Sequence, residues 1–380
     1  MISTAVVRPR PDVRPSASSR IITDMTGRKV PVQLPFRGIG MTWGSSLREF
    51  YTVTRSPESV LAAWPFAQLE ARGTVLGELF PRALNRTEFW ESSKISNGQG
   101  PNANVESLLK TNASLFLGYS NMAPLIDQVG LPFAGSVLIL REELLFPEVR
   151  MVAGSMGQVQ HGEELIERYH RDFADLAEEL RPEAIVHKPR ILMVTIPSRA
   201  TRQGTIGFGG RINKFWSTMF ARTAVTNAVD DSDWLIRRNA YSSGVEPLLI
   251  FDPDIIILTD GLYETPRDHP LGPQEFISDP RFRAMRAVRE RRVYRYPHGF
   301  TVNMFGIIET PLAARWLAEI AHPDVLKPRT RMLVRQRLQD DLNMNLTDSQ
   351  LDEMLSVNEN RGMLHAARFE APSAVTGVAQ

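Results

Sequence analysis

Two glutamates stand at the start of the same local pattern. Asn104-Val105-Glu106-Ser107-Leu108-Leu109 runs into Lys110-Thr111-Asn112-Ala113-Ser114-Leu115-Phe116-Leu117. Gly244-Val245-Glu246-Pro247-Leu248-Leu249 runs into Ile250-Phe251-Asp252-Pro253-Asp254-Ile255-Ile256-Ile257. Each reads as a short helix opening on a carboxylate, then a tight turn, then a buried strand. In a first helical turn a carboxylate is favoured by the macrodipole, worth about 0.3–1 kcal/mol. A unit that returns after about 140 residues predicts two similar lobes. Two-lobed proteins commonly bind a ligand between the lobes.

Other residue types suit ligand contact. The stretch Ser198-Arg199-Ala200-Thr201-Arg202-Gln203-Gly204-Thr205-Ile206-Gly207-Phe208-Gly209-Gly210-Arg211 follows a predicted strand. Its glycines let backbone approach a ligand, and Arg202 and Arg211 suit carboxylate or catecholate oxygens. The same stretch equally reads as a solvated loop with surface arginines. It is neither a Walker loop nor a dinucleotide fingerprint. Trp43 and Tyr119 each follow a strand of the first lobe, with Trp216 and Tyr241 as second-lobe candidates. Aromatics stack on organic chelates and tyrosinate ligates ferric iron, although core packing is the commoner fate of any one aromatic. The seven histidines show no helical zinc spacing. Only His298, in Tyr296-Pro297-His298-Gly299-Phe300, falls near a predicted cleft loop. Asp230-Asp231-Ser232-Asp233 is too short for a calcium loop. No nucleophile elbow or Ser–His–Asp set is visible.

These residues need elements to hold them. Ile21 to Val30 reads as a β-hairpin around Thr26-Gly27, and Arg37 to Trp43 as a first sheet strand. Ser56, Pro57 and Glu58 predict a short helix start, with Val60, Leu61 and Trp64 at helical spacing. A helix over Ala123 to Val129 should end at Gly130 with a strand beyond it. Val137 to Leu140 and Ile191 to Ile196 read as strands. Gly162 to Leu180 is the strongest helix, with Leu165, Ile166, Tyr169, Phe173, Leu176 and Leu180 on one stripe and Pro182 stopping it. Later elements are a strand over Arg292 to Pro297 and helices over Glu309 to Ile320 and Thr330 to Leu342. Thr347-Asp348-Ser349-Gln350 has capping-box spacing. The alternation predicts α/β lobes with mostly parallel sheets.

Composition narrows the classes. The 380 residues support roughly two domains. A net charge of +1 gives no global field for nucleic acid. With no cysteine, disulfides, thiolate metal sites and cysteine nucleophiles are excluded. No stretch approaches the roughly 20 apolar residues of a membrane span. Met1 to Arg20 alternates arginine and proline, lacks a secretory hydrophobic segment and reads as a disordered leader. Either the protein stays inside, or an exported precursor begins upstream. Ala371 onward reads as unstructured.

In this order the motifs resemble the metal-chelate class of ABC-importer substrate-binding proteins, which handle ferric siderophores, haem and cobalamin. The opening hairpin Ile22 to Val30, the two glutamate motifs, and Ala287 to Tyr294 with Pro297 and Gly299 carry the likeness. It runs over about residues 20–325. Asn112-Ala113-Ser114 departs from the Pro-Asp pair usual there, whereas Asp252-Pro253-Asp254 keeps it. The resemblance implies two Rossmann-like lobes joined by a long rigid helix, a class III periplasmic binding protein architecture. The repeat, with the one strong helix between its copies, gives a layout of leader 1–20, first lobe 21–158, connecting helix 159–184, second lobe 185–325 and helical tail 326–380 with an unstructured end. The resemblance implies that Glu106 and Glu246 pair with permease arginines. A metal chelate, a ferric siderophore ahead of haem or cobalamin, would sit in the cleft against Trp43, Tyr119, Arg202, Arg211, Trp216 and Tyr241. The chain would be a periplasmic monomer with no resident cofactor or metal and no catalysis. The rival classes are an enzyme using the same cleft, which would need a convergent acid–base set, and an intracellular relative with a changed role.

Overall fold

A hairpin opens the chain: β1 (Ser19–Thr23) pairs antiparallel with β2 (Lys29–Gln33). In this computed structural model the described residues are 19–33, 38–41, 50, 52–54, 61–63, 109, 113–137, 141–195, 207–209, 214–229, 246–259, 272–297 and 305–371. The chain divides into two units, Met1–Glu167 and Arg168–Gln380.

The first unit continues through β3 (Ile39–Met41), β4 (Leu61–Ala63), β5 (Leu115–Tyr119), α1 (Ala123–Gln128), β6 (Phe133–Ser136), α2 (Glu142–Met156) and the start of α3 (Val159–Glu179). Its sheet has the order β4-β3-β5-β6, parallel throughout. Asp24 locks the hairpin onto this sheet. One carboxylate oxygen accepts from the Thr26 and Arg28 N–H groups, each at 2.9 Å, and from the Thr26 hydroxyl at 2.7 Å. The other accepts from Gly135 N–H in β6 at 2.9 Å. Burial pushes the Asp24 carboxyl up, but the bonds from Gly135, Thr26 and Arg28 outweigh it and hold its pKa below the usual 3.8.

The second unit contains β7 (Arg190–Thr195), β8 (Gly207–Gly209), α4 (Lys214–Arg222), β9 (Thr226–Asn227), α5 (Glu246–Phe251) and β10 (Ile255–Thr259). Then come α6 (Pro273–Ser278), α7 (Arg286–Arg289), β11 (Val293–Arg295), α8 (Glu309–Ala321), α9 (Thr330–Leu342) and α10 (Asp348–Met354). The path is β11-β10-β7, with β9 parallel and β8 antiparallel to β7. Counting parallel strands in chain order, both units therefore run second-first-third-fourth: β4-β3-β5-β6 and β9-β7-β10-β11. The repeat read from the glutamate motifs is thus a repeat of topology, and each motif precedes the third strand of its sheet. Every residue of β10 is buried, which explains a run of isoleucines instead of an alternating pattern.

The stripe on α3 is borne out: Leu165, Ile166, Tyr169, Phe173, Leu176 and Leu180 are all buried. The unit boundary falls inside this helix, after Glu167. Its second half is tied to α8 and α9 of its own unit. Arg337 Nη2 meets Asp172 Oδ2 at 2.5 Å, Arg315 Nη1 meets Glu179 Oε1 at 2.6 Å, and Arg168 pairs with Asp341.

Two expectations need correction, and one helix had no counterpart in the sequence reading. The helix expected after Ser56 gives way to β4, which pairs with β3 at Ile39↔Leu61. A short apolar run fits either period, and here Leu61–Ala63 is satisfied as an edge strand beside β3. The glycine-rich loop after β7 is not all loop, since Gly207–Gly209 returns as β8 with Thr195↔Gly207 and Met193↔Gly209 in register. The helix α2 went unrecognised because Pro147 lies inside it and masks its periodicity. The leader 1–18 and residues 372–380 lie outside the described residues.

Candidate functional site

In an open α/β sheet, ligands sit beyond the carboxyl ends of the strands, where the strand order reverses. In the first unit that point lies between β3 and β5, which end at Met41 and Tyr119. In the second it lies between β7 and β10, which end at Thr195 and Thr259. Tyr119 closes β5 and stands in register with Ser136, the last residue of β6. Glu246 is the first residue of α5. Trp43, Glu106, Arg202, Arg211, Tyr241 and His298 lie outside the described residues.

Trp216 departs from its expected role. It is 1% exposed on α4, edge-to-face with Phe215 at 4.9 Å and with Tyr296 at 5.3 Å between ring centroids. Tyr296 in turn meets Trp316 edge-to-face at 5.8 Å. An indole enclosed this way packs the core of its unit and leaves no face for a ligand arriving from solvent.

The Asp252-Pro253-Asp254 turn proves to be a clamp at the opposite, amino end of β10. Asp254 accepts from Arg190 N–H at 2.8 Å and pairs with Arg286 Nη1 at 2.5 Å. Its Oδ2 lies 3.6 Å from His187 Nε2. Asp252, at φ 33°, accepts from Arg286 N–H at 2.7 Å. Arg190 donates onward to the carbonyls of Phe251 at 3.0 Å and Ala228 at 3.2 Å. The motif fixes how α5 enters β10, and so fixes the position of Glu246.

A second feature had no signal in the sequence. A surface cleft of about 450 Å3 lies against the hairpin of the first unit, lined by Arg20, Thr23, Met25, Arg150, Met151 and Val159 among others. Both arginines are already engaged. Arg20 donates to Gly154 O at 3.1 Å, and Arg150 grips Glu163 with two bonds of 2.7 and 2.9 Å. That bond with Arg150 holds the Glu163 carboxyl below its usual range. Among the described residues no group of three or more metal-ligating side chains could hold a metal, and no helix is long and apolar enough to cross a membrane.

The periplasmic binding protein family profile matches residues 77–298, more than half of the chain. This chain belongs to the periplasmic binding protein family, which bears out the resemblance read from the motifs. Comparison with curated proteins gives no match. Solved structures share the fold. A periplasmic solute binding protein from Veillonella parvula is similar with a TM-score of 0.73 at 20% identity, covering 90% of this chain and 99% of that one. The molybdate periplasmic binding protein MolA of Haemophilus influenzae gives 0.66 at 16% identity, covering 86% and 99%. The triscatecholate siderophore binding protein FeuA of Bacillus subtilis, complexed with ferri-bacillibactin, gives 0.54 at 16% identity, covering 80% and 98%.

Proposed function

We propose that this chain is the substrate-binding protein of an ABC importer, working in the periplasm, and that it captures a ferric siderophore and delivers it to the permease. The observation that supports this best is the repeated second-first-third-fourth strand order. It gives each unit a reversal point beyond which the motif residues follow in sequence. Tyr119 closes one of the two strands that flank the point in the first unit, and Trp43 follows the other by two residues in sequence. Arg202 comes from the connection that leaves β7 at the same point in the second. Arg211 follows only after β8 has turned the chain back along β7, so Arg202 is the stronger of the two arginines. Aromatic faces with a cation suit an organic chelate bearing acidic oxygens. The fold is shared with proteins of ferri-bacillibactin and of molybdate, both anionic cargoes.

Glu106 and Glu246 serve as docking carboxylates, one per unit, for arginines of the permease, since charge-assisted pairs suit reversible association. Intrinsic tryptophan fluorescence, titrated with ferri-bacillibactin, haemin, cobalamin and molybdate, tests the cargo. Saturable quenching by the ferric triscatecholate alone is the expected result, and binding of another member instead would reassign it. Arg202→Ala with Arg211→Ala should weaken anionic chelates more than neutral ones, and raised salt should weaken the parent's binding of anions. Glu106→Lys with Glu246→Lys should abolish uptake while leaving chelate affinity intact. Equal loss of affinity would make the glutamates ligand or folding residues.

A further inference from the structure

We propose that each unit also docks through an exposed leucine three residues after its glutamate, Leu109 in the first unit and Leu249 in the second. Resting on the importer reading above, the partner is the permease, and it must offer two apolar hollows, each beside a cation that meets a glutamate.

The motivation is a repeated exposure at equivalent positions. Leu109 lies six residues ahead of β5 and Leu249 six residues ahead of β10, the third parallel strand of each unit's main sheet. Leu109 is 52% exposed and Leu249 42%. The neighbouring Leu248 is fully buried and already supplies the inward contact of α5, so packing within the unit does not need Leu249. Ile250 is 74% exposed and extends the patch. On a helix, positions three and four after a residue share its side, which puts Leu249 and Ile250 at positions beside Glu246.

A single exposed leucine would carry no such meaning, because apolar atoms make up much of any protein surface. Val186, fully exposed, is such an instance. The same exposure at the same place in two copies of one unit is a different matter. Association surfaces combine desolvated apolar anchors with charged groups at the rim. The two patches are not equal, since Lys110 stands in the first where Ile250 stands in the second. The second hollow is therefore the larger and the more apolar.

Photoreactive p-benzoylphenylalanine, placed in the full chain in cells of the source organism, tests this at four positions: 109, 249, 246 and the control 186. The expected result is an ultraviolet-dependent adduct at 109, 249 and 246 whose partner is a membrane-spanning ABC permease subunit by mass, and none at 186. An adduct at 246 with none at 109 or 249 overturns the apolar anchors and leaves the docking glutamates standing. Adducts at none of the four overturn both readings. An adduct to a second copy of this chain makes the patch a homomeric contact and overturns the proposal. As a second measurement, Leu249→Ser with Ile250→Ser should weaken binding to the permease so identified by about tenfold, more than Leu109→Ser does. Unchanged binding by both variants also overturns it.

Discussion

Glu319 accepts the Nε–H of Arg315 at 2.8 Å, both side chains on α8 and both buried. The same oxygen accepts the backbone N–H groups of Arg329 at 2.9 Å and Thr330 at 3.0 Å. One carboxylate thus neutralises a buried cation and caps the first turn of α9, whose own preceding residue, Arg329, provides no side-chain cap. Glu319→Ala leaves both the guanidinium and the two N–H groups without this acceptor. Arg315 keeps Glu179 and the Lys327 carbonyl, so the expected loss is that of buried donors left without an acceptor, about 1–3 kcal/mol. Glu319→Gln keeps an acceptor and should cost less. Urea unfolding of the two variants checks this, and a loss below about 1 kcal/mol for alanine would contradict it.

Gly40 and Phe116 face each other across β3 and β5. A Cβ on Gly40 would lie 2.2 Å from the Phe116 ring, which is fully buried. The ring occupies the space that any other residue's side chain would need. Gly40→Ala should therefore cost about 1–3 kcal/mol through overpacking. Adding Phe116→Leu should recover part of that loss, which a mere loss of glycine flexibility would not allow. A double-mutant cycle in thermal unfolding reads the coupling, and simple additivity would refute the contact.

How much of this was legible in the sequence varies with the physics that fixed each part. Thr347 caps α10 as its spacing foretold, because a capping box is settled within four residues. The stripe on α3 was equally plain, being one long period with a proline after it. By contrast β4 was misread, since Val60, Leu61 and Trp64 fit either period and only pairing with β3 decides. The buried fate of Trp216 depends on Tyr296, about 80 residues away in the chain, and local pattern holds no trace of that. The glutamate repeat was legible because the local pattern itself recurs, and the shared strand order explains why it does. Ligand specificity resides in connections beyond strand ends, where no period constrains the sequence.

Asn360 acts as a substitute strand beside β11. Its Oδ1 accepts from Arg295 N–H at 2.6 Å, and its Nδ2 donates to Arg295 O at 3.1 Å. β11 ends the sheet path, so this amide satisfies groups that an edge would leave bare. Asn360→Ala should cost about 1–3 kcal/mol for the desolvated groups. Asn360→Asp keeps the acceptor but buries a carboxylate facing the Arg295 carbonyl, and should cost at least as much as alanine. Faster hydrogen exchange at the Arg295 amide in the alanine variant is the local readout. Unchanged protection there would mean the edge is covered by other means.

His322 gives the second unit a predictable response to acid. Its ring is buried, with Nε2 2.9 Å from Thr223 O. Burial lowers its pKa below the ordinary 6.5, the carbonyls of Thr223 and Ala224 oppose this, and Arg292 and His187 lower it further. His365 is shifted the same way, by burial and then by Arg368 and Arg292. The unfolded chain takes up a proton near 6.5, whereas the folded chain resists until lower pH. Below that value the unfolded state binds more protons, so stability falls as pH drops and is flat above it for these groups. For the buried His322 the slope is at most about 1.4 kcal/mol per pH unit until the folded pKa is passed, and the exposed His365 contributes far less. Carboxylates add their own loss in stronger acid, so the variant comparison carries the test. Urea unfolding at about pH 7.5 and about pH 5.5 should show a smaller acid loss in His322→Gln than in the parent. Equal losses in the two proteins would mean that His322 titrates alike in the folded and unfolded chain, which its enclosure argues against.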